Sequence, residues 1–183
     1  FITQSLAGLC SFDTNNDLPS PDEVIQLIIK VNDYYQEQNS YYGNAFWDTA
    51  TYHTGNIAAY KITGKEEYLN YSRKWAEHNQ WKGAASDDPS DWKYCEYGET
   101  HDYVLFGDWQ ICFQTYIDIF NLEGQNDQHM VERAIEVMNY QVNTDVVDYW
   151  WWADALYMVM PVMVKMYHLT GEQIYLDKLY AYF

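Results

Sequence analysis

Apolar residues recur along most of this chain at the spacing of helices. Ser20-Pro21-Asp22-Glu23 opens the first helix, with Ser as N-cap, proline at the first helical position and Glu at the third. Val24, Leu27, Ile28, Val31 and Tyr35 follow at helical intervals, which carries the helix to about Glu37. Residues 1–19 read as a flexible lead and residues 38–46 as a polar, aromatic loop. Val146-Val147-Asp148-Tyr149-Trp150 is the best β-like stretch, and it is too short to alter an all-α reading.

From Asp48 onward the pattern repeats. Asp48 and Gly64 are sixteen residues apart, Asp108 and Gly124 sixteen, Asp154 and Gly171 seventeen. An aromatic stands four residues before each glycine: Tyr60, Phe120 and Tyr167. A second amphipathic segment follows each glycine, carrying Tyr68-Leu69-Tyr71-Trp75, Met130-Val131-Ala134-Ile135-Met138 and Ile174-Leu176-Leu179-Tyr180. The unit is Asp, helix, glycine cap, short turn, helix. If such hairpins stack around an axis, their first helices line the inside and their N-termini meet at one mouth. Between the first and second units lies a long polar loop, about residues 80–105, rich in Trp and Tyr, where binding is expected.

Composition narrows the function. The 183 residues suffice for one domain, and the 19% aromatic content suits a stacking surface or an aromatic-rich core. A formal charge of −17 argues against nucleic acid and anionic membranes as partners. No run is long enough to span a membrane. Three cysteines, Cys10, Cys95 and Cys112, form no metal-binding spacing, and a Cys95–Cys112 bridge is compatible with the sequence. The segment Phe1–Cys10 reads as the tail of an export signal, which favours a periplasmic or secreted location over the cytoplasm.

The chemistry concentrates in Trp150-Trp151-Trp152-Ala153-Asp154. Indole faces bind the apolar sides of sugar rings, and a carboxyl group shielded by Trp151 and Trp152 would have its pKa raised, as an acid catalyst needs. Asp108, in Gly107-Asp108-Trp109-Gln110, is the second candidate. All three aspartates serve equally well as helix N-caps with no chemistry. Trp47, His53, Trp109, Gln110, Trp151, Trp152 and Met158 are the candidate substrate-binding residues; His53 follows Asp48 by one turn and competes with a purely structural role. Pro161 predicts a kink in the Asp154 helix through loss of a donor to Tyr157. No histidine spacing makes a metal site, and no nucleophilic Ser or phosphate-loop signature occurs.

These stretches resemble a known family. WWWADALYMVMPVMVKMYHLTGEQIYLD is similar to the tryptophan–aspartate segment of glycoside hydrolase family 105. GDWQICFQTYIDIF and WDTATYHTGNIAAYKITGKEEYLNYSRKWAEHN resemble two further segments of it, and family 88 shares the fold and chemistry. The resemblance covers roughly residues 24–183. It implies an (α/α)6 barrel, here residues 20–183 as a partial barrel, that removes a 4,5-unsaturated uronic acid from oligosaccharides, typically unsaturated galacturonyl-rhamnose. It implies hydration of the double bond with Asp154 as acid/base and Asp108 assisting, without cofactor or metal. Asp108-Trp109 stands where the family commonly pairs two aspartates, and Phe113 where it has Gly. Only three of the expected hairpins and a preceding helix are present, so the residues that hold the uronate carboxylate are expected beyond Phe183. The alternatives are a non-catalytic carbohydrate-binding helical protein, a helical scaffold for protein partners, and an inverting (α/α)6 glycosidase on saturated sugars.

Overall fold

The computed structural model describes residues 18–93, 103–147 and 152–183. The Phe1–Cys10 segment, Cys95, Trp150 and Trp151 lie outside them. The described residues form α1 (Pro21–Gln38), α2 (Trp47–Thr63), α3 (Glu66–His78), a 3-10 turn (Pro89–Asp91), α4 (Gly107–Gln110), α5 (Cys112–Leu122), α6 (His129–Val142), α7 (Ala155–Thr170) and α8 (Ile174–Tyr182). Val146 and Val147, the described part of the β-like stretch, have no regular structure.

Local chemistry sets the helix ends. At α1 the Ser20 N–H donates to Glu23 Oε2 at 2.7 Å and the Glu23 N–H returns to Ser20 Oγ at 3.3 Å, the reciprocal box that the sequence predicts. Gly64 and Gly171 take φ of +67° and +76°, and each donates its N–H to a carbonyl four residues back, Tyr60 and Tyr167. Those carbonyls belong to two of the aromatics that mark the repeat.

The helices stack in two layers. α2, α4–α5 and α7 lie side by side, and α3, α6 and α8 each pair with the helix preceding them. Trp75, Tyr116, Ile117, Val131, Met138, Met163 and Met166 are among the side chains packed between the layers. The second inner helix is interrupted at Ile111, where the Gln114 N–H bonds the Ile111 carbonyl and Cys112 Sγ donates to the Trp109 carbonyl at 3.2 Å. Gly83 abuts this break; a Cβ there would lie 2.1 Å from the Trp109 oxygen. Cys112 is a free, fully buried thiol whose pKa burial pushes up, and Cys95, its candidate partner, lies outside the described residues.

Two expectations are corrected. α1 forms as read, but Val24, Leu27 and Val31 are exposed, and the helix docks on α2 through polar residues. Asn32 Nδ2 donates to Asn56 Oδ1 at 2.7 Å, Tyr52 Oη donates to Asn32 Oδ1 at 2.8 Å, and the Tyr35 and Tyr52 rings stack at 3.5 Å. The apolar stripe predicts the helix correctly, but its buried side is set by the Asn–Tyr network. The long connection after α3 is also different in its described parts. Trp81, Trp92 and Tyr103 are core residues, not an open stacking surface. Buried Arg133 lies over the Trp92 ring at 5.0 Å and donates to the Ser86 carbonyl, which holds the connection against α6.

Candidate active site

Contacts between the helix starts bring the repeat's aspartates to one end of the molecule. Phe46, which precedes α2, packs against Trp109 of α4 with ring centroids 4.7 Å apart. Gly107 opens α4 so close to α7 that a Cβ on it would meet Ala155 Cβ at 3.6 Å and Val159 Cγ2 at 3.2 Å. Asp108 follows Gly107 and Asp154 precedes Ala155, so this contact of α4 and α7 has a carboxylate residue beside it on each helix. The end of α3 reaches the same place, where Trp75 Nε1 donates to the Asn44 carbonyl at 2.9 Å and Asn79 Nδ2 to that of Gly43 at 3.1 Å. A Cβ at position 107 would press on the Val159 methyl by a few tenths of an ångström, so glycine fits this contact without displacing α7.

The N-cap position predicted for all three aspartates is held only by Asp154. Asp48 and Asp108 occupy the second positions of α2 and α4, behind Phe46 and Phe106. Asp48 is exposed and accepts from the Thr49 N–H at 2.9 Å. Asp154 holds the N-cap position of α7 but makes no side-chain capping bond; only its carbonyl is engaged, by the N–H groups of Tyr157 and Met158 at 2.9 and 3.0 Å. Its carboxylate is therefore not consumed by the helix end.

The aromatic shield differs from expectation. Asp154 is exposed and Trp152 is 54% exposed, so this indole leaves water access to the carboxylate; Trp151 lies outside the described residues. The cause is helical phase. The buried stripe of α7 is Ala155, Met158, Val159, Val162, Met163 and Met166, and Asp154, Leu156 and Tyr157 fall off it. Trp47, at the start of α2, is likewise accessible at 44%.

Other predicted contact residues are already inside the protein. His53 is 1% exposed, its Nδ1 is 2.9 Å from Ser72 Oγ, and its ring stacks on Trp75 at 4.0 Å. Burial lowers its pKa to about 3, so the imidazole is neutral. Gln110 is fully buried and donates to Gln141 Oε1 on α6 and to the Val104 carbonyl. Met158 belongs to the core cluster. His53, Gln110 and Met158 are thus buried among other side chains and are not open contact groups in this structure. Trp109 is buried too, but it borders a cavity of about 210 Å³ shared with Asn44, His78, Gln80 and Lys82. Sequence reading missed this cavity because its lining comes from the end of α3 and the loop before α2, with no motif of its own. Lys82 Nζ there is held by both carboxylate oxygens of Asp87 at 2.8 Å.

Among the described residues no group of three His, Cys, Asp or Glu is placed to hold a metal ion, and no helix is long and apolar enough to cross a membrane. A general acid or base in this arrangement would be a carboxylate at a helix start, with the exposed Trp152 two residues before Asp154.

Comparison with known proteins agrees with the motifs. The profile of Glycosyl Hydrolase Family 88 matches residues 22–183. A solved structure described as a glycosyl hydrolase family 88 protein from Bacteroides vulgatus is 50% identical, with a TM-score of 0.85 over 90% of this chain and 46% of its own. Another, described as a polysaccharide lyase, is 59% identical with the same TM-score of 0.85, over 88% of this chain and 45% of its own. A comparison with curated proteins found no match. The chain thus spans about half the length of the solved structures it matches, and its all-α hairpins correspond to about half of an (α/α)6 barrel. The likeness holds for the related families 88 and 105 together, and the narrower placement in family 105 is not what the profile gives. With 162 residues matched (22 to 183 inclusive) out of 183, the chain belongs to Glycosyl Hydrolase Family 88.

Proposed function

We propose that the protein carrying this chain is a glycoside hydrolase that removes a 4,5-unsaturated uronic acid, such as unsaturated galacturonate, from the end of an oligosaccharide. The observation that supports this reading is the Gly107–Ala155 approach, which sets the starts of α4 and α7, with Asp108 and Asp154, side by side in a family 88 fold. Asp154 gives its proton to C4 of the enol ether while a water, deprotonated by the same carboxylate, adds at C5. The C5 hemiketal then opens to a ketone, and the anomeric centre releases the remaining sugar as an alcohol. One water is consumed and Asp154 returns to its starting state. Asp108 orients the water or the sugar, and Trp47, Trp151 and Trp152 supply stacking faces. Secretion or export to the periplasm would place such an enzyme where lyase products arise.

Asp154→Asn tests the assignment. General acid–base groups contribute about 10²–10⁴-fold, so the variant should lose at least roughly 100-fold in kcat on an unsaturated disaccharide, with an unchanged circular dichroism spectrum. Activity near that of the wild type would overturn the role. A second reading, elimination, rests on the 59% identity to the structure described as a polysaccharide lyase. The double-bond absorbance separates the two, because a hydrolase of this kind bleaches it and a lyase creates it. Activity on saturated glycosides would point instead to a conventional inverting glycosidase.

A further inference from the structure

α7 runs without interruption from Ala155 to Thr170 although Pro161 lies inside it. Proline brings no N–H, so the Tyr157 carbonyl, four residues back, loses its helical donor. An unpartnered carbonyl so near the core is a defect that proteins seldom leave open. Here the donor comes from another helix. Gln114 Nε2, on α5, donates to the Tyr157 carbonyl at 2.9 Å and to the Met158 carbonyl at 3.0 Å. Gln114 is 4% exposed, and its amide spans the interface between two inner helices.

The position of this bond matters because of what lies one turn earlier. The N–H groups of Tyr157 and Met158 both bond the Asp154 carbonyl. One peptide unit is common to both sets: the Tyr157 carbonyl that Gln114 grips and the Met158 N–H that bonds Asp154 lie in the same peptide plane, so Gln114 holds from one side a peptide that holds Asp154 from the other. Asp154 has no side-chain capping bond to fix its own turn. Gly107 lets α4 touch α7 at Ala155, but an apolar contact sets distance more than direction. The Gln114 amide adds a directional tie between the segment that bears Asp108 and the segment that bears Asp154.

We infer that Gln114 is a positioning residue: by replacing the hydrogen bond that Pro161 cannot make, it fixes the first turn of α7 and with it the Asp154 carboxylate. The inference rests on the proposed role of Asp154. It assigns Gln114 no contact with substrate. Neither Gln114 nor the consequence of Pro161 for α5 is visible from the helical pattern, because the two residues are 47 positions apart and meet only in the fold.

Substitution in the full-length protein tests this. Gln114→Leu keeps the volume and removes the donor; Pro161→Ala gives position 161 an N–H that can reach the Tyr157 carbonyl within the helix. Gln114→Leu should lower kcat on an unsaturated disaccharide at least tenfold while KM changes less than threefold. Amide exchange at Tyr157 and Met158 should rise at least tenfold. Adding Pro161→Ala to that variant should bring both readouts back to within threefold of the wild type. An unchanged kcat in Gln114→Leu overturns the inference and leaves the Asp154 assignment standing. A loss that Pro161→Ala does not rescue also overturns it, because Gln114 is then a packing residue only. If the wild type turns over no unsaturated uronide, the functional reading fails instead. The exchange measurement still decides the structural tie in that case: a rise in Gln114→Leu reversed by Pro161→Ala upholds it, and no rise sinks it.

Discussion

His53 is a ring with no room for a second proton. Between Trp75 and Tyr71, with Nδ1 against Ser72 Oγ, it has no carboxylate partner, and desolvation alone brings its pKa to about 3. The native pKa lies below the ordinary value of roughly 6.5, so between those two limits the unfolded chain binds a proton that the folded chain does not. Stability therefore rises with pH across that window and levels off above it. On acidification it falls by about 1.4 kcal/mol per pH unit from this group alone. His53→Gln should flatten the dependence of the denaturant midpoint on pH between 6 and 4, even though the variant starts less stable. An unaltered slope would show that His53 is already charged in the native protein. The sequence placed His53 one turn after Asp48 and allowed it two roles; what decides between them is Ser72 and Trp75 on the facing helix, which no local pattern reveals.

At the scale of elements, short-range chemistry was the legible part. The Ser20–Glu23 box, the left-handed glycines and the hairpin period depend on residues within a turn of one another, and each appears in the fold. Long-range packing was not legible. The break between α4 and α5 accompanies the close approach of Gly83, the polar docking of α1 depends on Asn56, and Pro161 is accommodated by Gln114. The candidate site divides the same way: the shared end of the aspartates follows from the repeat, whereas burial of Gln110 and Met158 and exposure of Asp154 follow from helical phase against neighbours. One further contact ties the inner layer together. Asp118 of α5 accepts from Lys61 of α2 at 2.9 Å and also from Lys165 of α7, so a single carboxylate joins all three inner helices. Its partners are partly exposed, which limits the pair energies. Asp118→Asn should cost about 1 kcal/mol, from lost attraction and from two lysines left facing each other. The loss should shrink in high salt; a salt-independent loss would mean that Asp118 matters for packing and not for charge.

At the scale of the whole molecule, exposed apolar side chains among the described residues include groups at both ends of the helical row. Val24, Leu27 and Val31 are open on α1 at one end, and Val164 of α7 with Tyr180 of α8 and the terminal Phe183 at the other. Contiguous apolar surface of this kind drives association when nothing covers it. Opposing it is the formal charge of −17, whose repulsion acts between molecules and is screened by salt. The balance has a definite sign. Expressed alone, the 183-residue chain should stay largely monomeric in dilute buffer and self-associate as ionic strength rises toward about 1 M, where screening reaches only ~3 Å. Replacing Leu27 and Val31 with glutamate should suppress that association without loss of helix content, because both side chains already point to solvent. Sedimentation velocity across a salt series reads the outcome directly. A chain that remains monomeric at every salt concentration, or a double variant that associates as strongly as its parent, would show that the α1 face does not drive the contact. The same glutamates carry a second consequence. They sit on the outermost helix, away from the α4–α7 contact, so in the full-length protein any loss of turnover they cause should track loss of folded protein and leave kcat per folded molecule unchanged.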